Sequence, residues 1–164
     1  MSKERLYLFD TTLRDGAQTT GVDFSLEDKR RIIGVLDELG LDYIEGGYPG
    51  ANATDTELFR TELNLTCATF TAFGMTKRVG RSVANDPGFQ ATLQATAGAI
   101  CLVAKAWDYH VRVALGISNE ENLAGIAQSV EAVRQSAGNA DREAMIDCEH
   151  FFDGYKSNRA YALA

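Results

Sequence analysis

Short apolar runs alternate with amphipathic stretches along the whole chain of 164 residues. Five runs have the length and the nearly continuous apolar character of strands that are buried on both faces. They span residues 6–13, 43–48, 68–75, 99–106 and 144–151. Helical spacing of apolar residues follows each run, over 25–40, 54–63, 86–98, 118–138 and 158–164. Five β-α units of this kind predict an α/β fold with a parallel sheet covered by helices.

Local sequence signals mark several of the predicted helix ends. Ser25 and Asp28 have the spacing of a capping box, and Gly40 stands where the same helix should end. Pro87 suits the first turn of a helix, and Gly138 lies near the end of the longest amphipathic stretch. Two architectures fit these units, an open doubly wound sheet or part of an eight-stranded barrel. A complete barrel typically needs about 250 residues.

Composition and charge restrict the function classes. A net charge of −7 gives no basic excess for binding nucleic-acid phosphates. No apolar run approaches the length of a membrane span, and the first residues lack the apolar region of a signal peptide, so we expect a cytoplasmic protein with no membrane partner. Three cysteines, Cys67, Cys101 and Cys148, lie far apart among apolar residues. They are expected to be buried, reduced thiols.

Charged side chains gather at or just beyond the carboxyl ends of four of the five predicted strands. The first strand has Asp10, Arg14 and Asp15, and the second has Glu45. The fourth has Lys105, Asp108 and His110, and the fifth has Asp147, Glu149, His150 and Asp153. Both parallel architectures form their active sites at this edge of the sheet. Carboxylates such as Asp15 and Glu149 suit either a hard divalent cation or a division of acid and base roles. Neither a dinucleotide fingerprint nor a P-loop is present.

The loop after the first strand carries the most specific motif. Its sequence DTTLRDGAQ, residues 10–18, closely resembles the signature of the metal-dependent synthases and lyases that include the 2-isopropylmalate, homocitrate and citramalate synthases and hydroxymethylglutaryl-CoA lyase. The resemblance extends over essentially the whole chain and is greatest to the citramalate synthase branch. Its matching stretches are 39–57, 70–75, 81–87, 103–123 and 147–158. It implies a (β/α)8 TIM barrel.

The resemblance also implies roles for individual residues. Asp15 matches the aspartate that ligates a divalent metal, taken as Mg, Mn or Zn. Arg14 matches the arginine that binds the α-keto acid and stabilises negative charge on its carbonyl oxygen. Gln18 matches a glutamine near the substrate, and His110 falls near a histidine of the family site. Glu149 matches a glutamate that assists deprotonation of acetyl-CoA, the co-substrate.

The residues expected to contact substrate are Arg14, Gln18, Glu45 and His110. The family completes its metal site with a His-x-His pair on a later strand, whereas this sequence has two histidines, His110 and His150, without that spacing. We therefore interpret residues 1–164 as the N-terminal portion of a TIM-barrel catalytic domain, truncated before the later strands. Such a portion is expected to be inactive alone.

The function that the resemblance implies is an acyl transfer that belongs to amino-acid biosynthesis. Acetyl-CoA would condense with an α-keto acid, here pyruvate, to give citramalate. 2-Isopropylmalate and homocitrate synthases are the enzymatic alternatives, and a five-stranded receiver-type signalling module is the non-enzymatic one. Because a partial barrel leaves unpaired strand edges, we also expect a homo-oligomer or a self-associating chain.

Overall fold

The computed structural model describes residues 4–136 and 142–164. Five strands form one sheet, namely β1 (Phe9–Asp10), β2 (Tyr43–Gly47), β3 (Thr69–Met75), β4 (Ala99–Lys105) and β5 (Glu143–Glu149). Seven α-helices are α1 (Leu26–Glu38), α2 (Ala53–Leu58), α3 (Pro87–Leu93), α4 (Asp108–His110), α5 (Asn119–Gln135), α6 (Phe151–Ser157) and α7 (Arg159–Ala162). None of the helices in the described ranges is long and apolar enough to cross a membrane.

The strand order decides between the architectures that the sequence left open. All four strand pairs are parallel, and the order β1-β2-β3-β4-β5 follows the chain without a reversal. A doubly wound sheet, including the receiver-type order, reverses at its switch point, whereas a barrel adds each strand beside the previous one. The doubly wound and receiver-type alternatives are therefore wrong, and the sheet is a partial (β/α) barrel.

The two faces of the sheet have different chemistry, because successive side chains of a strand point to opposite faces. The face toward the helices carries Ile44, Phe70, Ala72, Ile100 and Leu102, which are all buried in one apolar cluster. The helices and loops contribute Leu13, Ile33, Leu58, Phe59, Phe89, Leu93 and Val133 to the same cluster. The core thus lies outside the sheet, and the inner face is left to the polar groups described below.

Asp37 ties the end of α1 to the loop that leads into β3. Its carboxylate accepts backbone hydrogen bonds from Thr66, Cys67 and Ala68 at 2.8–2.9 Å, and a further one from the Thr66 hydroxyl. These donors, the Thr66 N–H first, lower the pKa of Asp37 to about 2. Because three consecutive N–H groups depend on one side chain, the position of β3 depends on it as well.

Several local predictions are confirmed and others need correction. The capping box of Ser25 and Asp28 is present at the start of α1, and Pro87 opens α3. The first strand is much shorter than 6–13, because residues 11–18 fold into turns and a 3-10 helix over Gly16–Gln18. The helix α4, the π-helix Val111–Leu115 and the helix α6 were not predicted from the sequence. Gly138 lies outside the described residues.

The expectation of three buried thiols is correct for one cysteine. Cys101 is buried, whereas Cys67 and Cys148 are exposed. Cys67 lies in the loop before β3, and Cys148 lies on β5, the last strand of the described sheet, which pairs on one side only. Apolar neighbours in the sequence therefore did not correctly predict burial for Cys67 in the loop or for Cys148 at the end of the sheet.

Candidate active site

The motif loop after β1 is held in a tight turn by its own residues. The carbonyl oxygen of Thr11 accepts from the N–H groups of Arg14, Asp15 and Gly16 at 2.8–3.1 Å. Asp10 accepts from both the N–H and the hydroxyl of Thr12, at 3.0 and 2.9 Å. Leu13 is fully buried and anchors the loop in the core. This turn fixes the backbone from which Arg14 and Asp15 project.

Arg14 is the most extensively contacted side chain of the candidate site. Its Nε donates to Glu45 Oε2 at 2.7 Å, and its Nη1 donates to Asp15 Oδ1 at 3.2 Å. The guanidinium carbon lies 4.1 Å from the centroid of the Phe73 ring, the geometry of a cation–π contact. Tyr48 packs edge-on against the Phe73 ring, 5.5 Å between centroids. The motif loop and the strands β2 and β3 therefore orient one guanidinium group.

Glu45 is a buried carboxyl group on β2, with 1% of its surface exposed. Burial raises its pKa, the contact with Arg14 opposes this, and the charges of Asp147 and Asp15 raise it further. The thiol of Cys101 lies in the same surroundings, and burial with the charges of Glu45 and Asp147 raises its pKa to about 12. Side chains from β2, β4, β5 and the motif loop thus share one electrostatic environment.

Arg14 and Gln18 border the same cavity. This β1 cavity has a volume of about 450 Å³, and its wall also includes Tyr48, Asn52 and Phe73. The Arg14 guanidinium, the Gln18 amide and the aromatic rings form one part of this wall. The wall also carries further charged side chains, namely Asp23 and the ion pair of Lys29 with Asp55. A small molecule with an anionic group and a short apolar part suits the side of the cavity that Arg14 and Phe73 line.

Glu149 takes part in a second contact on the inner face. It lies directly opposite Lys105 in the parallel pair of β5 and β4, and Lys105 Nζ donates to its Oε2 atom. The backbone N–H of Ala106 donates to the carbonyl oxygen of Glu149 at 3.3 Å. Asp147 precedes Glu149 by two residues and so points to the same face. The carboxyl end of β5 therefore presents two carboxylates to the interior.

His110 belongs to an aromatic cluster at the carboxyl ends of β4 and β5. Its ring lies 4.7 Å from the Trp107 ring and 4.6 Å from the His150 ring, measured between centroids. His150 adopts a left-handed backbone conformation with φ 54°, and its Nδ1 lies 3.1 Å from Asp153 Oδ2. Within residues 4–136 and 142–164, no hydrogen bond or ring contact joins His110 to Arg14 or Glu45.

Among residues 4–136 and 142–164, the side chains do not form a complete ligand set for a divalent cation. Asp15 is a suitable oxygen ligand, since its side chain is 60% exposed and therefore accessible to an ion. No group of three His, Cys, Asp or Glu side chains in the described part of the chain is arranged to hold a metal ion. Glu45, whose pKa is raised in part by the charge of Asp15, is already bound by Arg14.

Comparison with known proteins places this geometry in a family. The model of the HMGL-like family matches residues 5–157, which is nearly the whole chain. The chain belongs to the HMGL-like family. The fold of this family member is also that of solved structures: hydroxymethylglutaryl-CoA lyase from Pseudomonas aeruginosa superposes with a TM-score of 0.64 at 24% identity, over 92% of this chain and 49% of that one. The prediction of a partial TIM barrel is thereby confirmed.

Relatives with known names are similar over almost all of this chain. The (R)-citramalate synthase of Aquifex aeolicus is 46% identical over 162 residues, which cover 98% of this chain and 30% of that protein. The (R)-citramalate synthase of Streptomyces coelicolor is 44% identical over 97% of this chain. The 2-isopropylmalate synthase of Caulobacter vibrioides NA1000 is 30% identical over 85% of this chain. The chain spans about 30% of the length of the citramalate synthases that it matches.

Two contacts of the site were not predicted from the sequence. Phe73 stands inside the apolar run of β3 and is indistinguishable there from a core residue. Lys105 was recognised at the end of β4, but its pairing with Glu149 depends on the register of β4 against β5, and the two residues are 44 positions apart in the sequence. Phe73 and Lys105 lie on the same face of the sheet as Cys101, because alternate residues of a strand share a face. This alternation is the signal that could have placed both side chains on the inner face.

Proposed function

We propose that the protein of which this chain forms a part condenses acetyl-CoA with an α-keto acid, pyruvate, to give citramalate and CoA. The observation that carries the proposal is the fixed Arg14 guanidinium, held between Glu45 and the Phe73 ring, in a chain that is 46% identical to an (R)-citramalate synthase. A cation held in place before the reaction stabilises developing negative charge without having to reorganise.

Arg14 is proposed to bind the keto acid and to stabilise the charge that develops on its carbonyl oxygen. Its Nε and Nη1 atoms donate to Glu45 and Asp15, and the remaining N–H groups of the guanidinium are proposed to bind the keto acid at the β1 cavity, which Arg14 lines. Gln18 lines the same cavity and is proposed as a second hydrogen-bonding group for the substrate. Glu45 is proposed to contribute to substrate binding by holding Arg14. His110 is proposed for the outer part of the site, where its ring packs on Trp107.

Glu149 is proposed as the base that removes a proton from the methyl group of acetyl-CoA. The C–H electron pair then forms the enolate, whose carbon attacks the keto carbon. The electron pair of the C=O π bond moves to oxygen, which takes a proton from solvent to become the hydroxyl group, and water cleaves the thioester to release CoA. A positioned general base contributes roughly 10²–10⁴-fold to the rate of such a step. The position of Glu149 at the carboxyl end of β5, on the inner face of the sheet, supports this role.

Asp15 is proposed as one ligand of a divalent cation, Mg, Mn or Zn, and a complete ligand set is not found among the described residues. When bound, such a cation would act as a Lewis acid on the keto acid. The structure of a related HMG-CoA lyase, which superposes with a TM-score of 0.59 at 19% identity, was solved in complex with coenzyme A and 3-methylmalate. A CoA thioester and a methyl-substituted malate skeleton are the chemical classes that we propose here.

A substrate panel tests the proposal. The protein, prepared at the full length of its relatives, is given acetyl-CoA with pyruvate, 3-methyl-2-oxobutanoate or 2-oxoglutarate, and CoA release is followed together with product identity by NMR. We expect pyruvate to be used with the highest kcat/KM and citramalate to be the product. Preference for 3-methyl-2-oxobutanoate would assign the 2-isopropylmalate synthase reaction instead, and no CoA release with any keto acid would overturn the proposal.

A further inference from the structure

The contact between Lys105 and Glu149 is more enclosed than a surface ion pair. The two side chains are 18% and 35% exposed, and the pair lies across the register of β4 and β5. Lys105 Nζ binds Oε2 of Glu149, while Oε1 accepts no hydrogen bond from residues 4–136 and 142–164. Within the described residues, one oxygen of this carboxylate is therefore hydrogen-bonded and the other is not.

Lys105 itself is held from two helices. Its carbonyl oxygen accepts from Asn122 Nδ2 of α5 at 3.0 Å and from the Tyr161 hydroxyl of α7 at 2.9 Å. Asn122 and Tyr161 are both buried, and Asn122 Nδ2 also lies 2.6 Å from the Tyr161 hydroxyl oxygen. The backbone that carries the ammonium group is thus fixed by a buried polar network, which is the kind of support that a functional side chain requires.

Lys105 also faces a cavity. This β3–β4 cavity, of about 450 Å³, opens at the carboxyl ends of β3 and β4, where Met75, Val103 and Lys105 line it together with Tyr48. Tyr48 borders the β1 cavity as well, so the two cavities share this residue in their walls. Lys105 therefore binds Glu149 and also lines space that a substrate can occupy.

We propose that Lys105 is a positioning residue for Glu149, holding Oε2 so that Oε1 is the atom that takes the proton. The inference rests on the proposed function, in which Glu149 is the base. In that step the methyl C–H bond breaks, the proton passes to Oε1, and the electron pair remains on carbon as the enolate. Lys105 stays protonated and donates to Oε2 throughout, and the proton returns from Glu149 to solvent after the product leaves.

Replacing Lys105 with Met tests the role, because the apolar stem is retained and the ammonium group is removed. Because general-base steps contribute roughly 10²–10⁴-fold, the loss of orientation is expected to lower kcat by about 10- to 100-fold. The KM for pyruvate should remain within about twofold, since the keto acid is bound through Arg14. Lys105→Arg, which keeps a donor at this position, should recover most of kcat. Lys156→Met removes the same charge from the exposed face of α6 and should behave as wild type.

A double-variant cycle shows whether Lys105 acts through Glu149. If it does, Lys105→Met combined with Glu149→Gln should be no slower than Glu149→Gln alone. A double variant slower by the full factor of Lys105→Met would overturn the inference and leave Glu149 as the base. A Lys105→Met protein with wild-type kcat would also overturn the inference. The same holds for a Lys105→Arg protein that unfolds at the wild-type temperature and yet recovers none of the lost kcat. Wild-type kcat in Glu149→Gln would instead remove the base from the proposed function, and the role of Lys105 with it.

Discussion

Gly154 of α6 lies so close to Ala106 that a Cβ atom on residue 154 would fall 2.2 Å from the Ala106 carbonyl oxygen. The same Cβ would lie 3.0 Å from Cα of Trp107, so both obstacles are backbone atoms that cannot rotate away. This close packing sets α6 against the segment that follows β4. It thereby fixes the chain just after Glu149 and His150, at the carboxyl end of β5.

Gly154→Ala should therefore displace α6 and lower the free energy of unfolding by about 1–3 kcal/mol, the usual cost of overpacking. Gly34→Ala is the matched control, since Gly34 lies in the interior of α1 with no atom within 4 Å of an added Cβ. There the substitution should be neutral or stabilising by up to about 1 kcal/mol. Urea unfolding of both variants measures the difference. Equal stability of the two variants would contradict the packing.

Asp37 gives a prediction about pH. Its pKa of about 2 in the folded protein lies below the ordinary value of 3.8, so its contribution to stability is complete above pH 4 and is lost as pH falls toward 2. Asp37→Asn removes one of two acceptor oxygens and should cost about 1–3 kcal/mol at neutral pH, because backbone N–H groups lose their partner. The difference from wild type should shrink as pH falls through this window.

Thermal unfolding at a series of pH values checks this expectation, with Asp23→Asn, an exposed aspartate, as the control. A stability difference between Asp37→Asn and wild type that is the same at pH 7 and at pH 2.5 would show that the carboxylate charge does not hold the loop before β3.

Asp15→Asn tests the metal assignment separately from the keto-acid assignment. In the protein at the full length of its relatives, the amide should weaken binding of Mg²⁺ or Mn²⁺, because a neutral oxygen replaces a charged ligand of a hard cation. Isothermal titration with each metal ion measures the change. Arg14→Ala should bind the ion with wild-type affinity. Normal metal binding by Asp15→Asn would remove Asp15 from the ligand set.

The β1 side of the sheet leads to an expectation about association. Leu6 is 86% exposed and Leu8 58% exposed, and β1 pairs only with β2 within the described residues. An unpaired edge beside exposed apolar side chains favours pairing with another chain. We expect the 164-residue chain to associate as its concentration rises. Light scattering over a concentration series should show a rising mass.

The double variant Leu6→Lys with Leu8→Lys should reduce that association. Leu39 is also an exposed leucine, but it lies at the end of α1, so Leu39→Lys should not reduce it. A monodisperse monomer of the wild-type chain at every concentration would show that the sheet edge is stable as it stands.

The sequence predicted the parts of the site that depend on local pattern. Arg14, Asp15 and Glu45 follow or end apolar runs, and parallel strands bring such positions to one edge of a sheet, so their convergence was predictable. The capping box of Ser25 and Asp28 was predictable because it is complete within four residues.

Contacts that depend on tertiary packing were not predictable. The stacking of Arg14 on Phe73 requires the two to meet across the sheet, and nothing in the apolar run of β3 marks that ring for a cation. The left-handed conformation of His150 and the π-helix Val111–Leu115 contradict local preference. Tertiary contacts, such as the ring packing of His150 on Trp107 and His110, accompany these conformations.

Arg14→Ala is the most direct test of the account, because Arg14 joins the motif loop, Glu45 and Phe73 into one site. The measurement is the steady-state rate of CoA release from acetyl-CoA with pyruvate, by the wild-type and Arg14→Ala proteins at the full length of their relatives. Loss of one preorganised donor should lower kcat by roughly 10²–10³-fold. A wild-type rate in Arg14→Ala would contradict the central claim that this arginine stabilises the reacting keto acid.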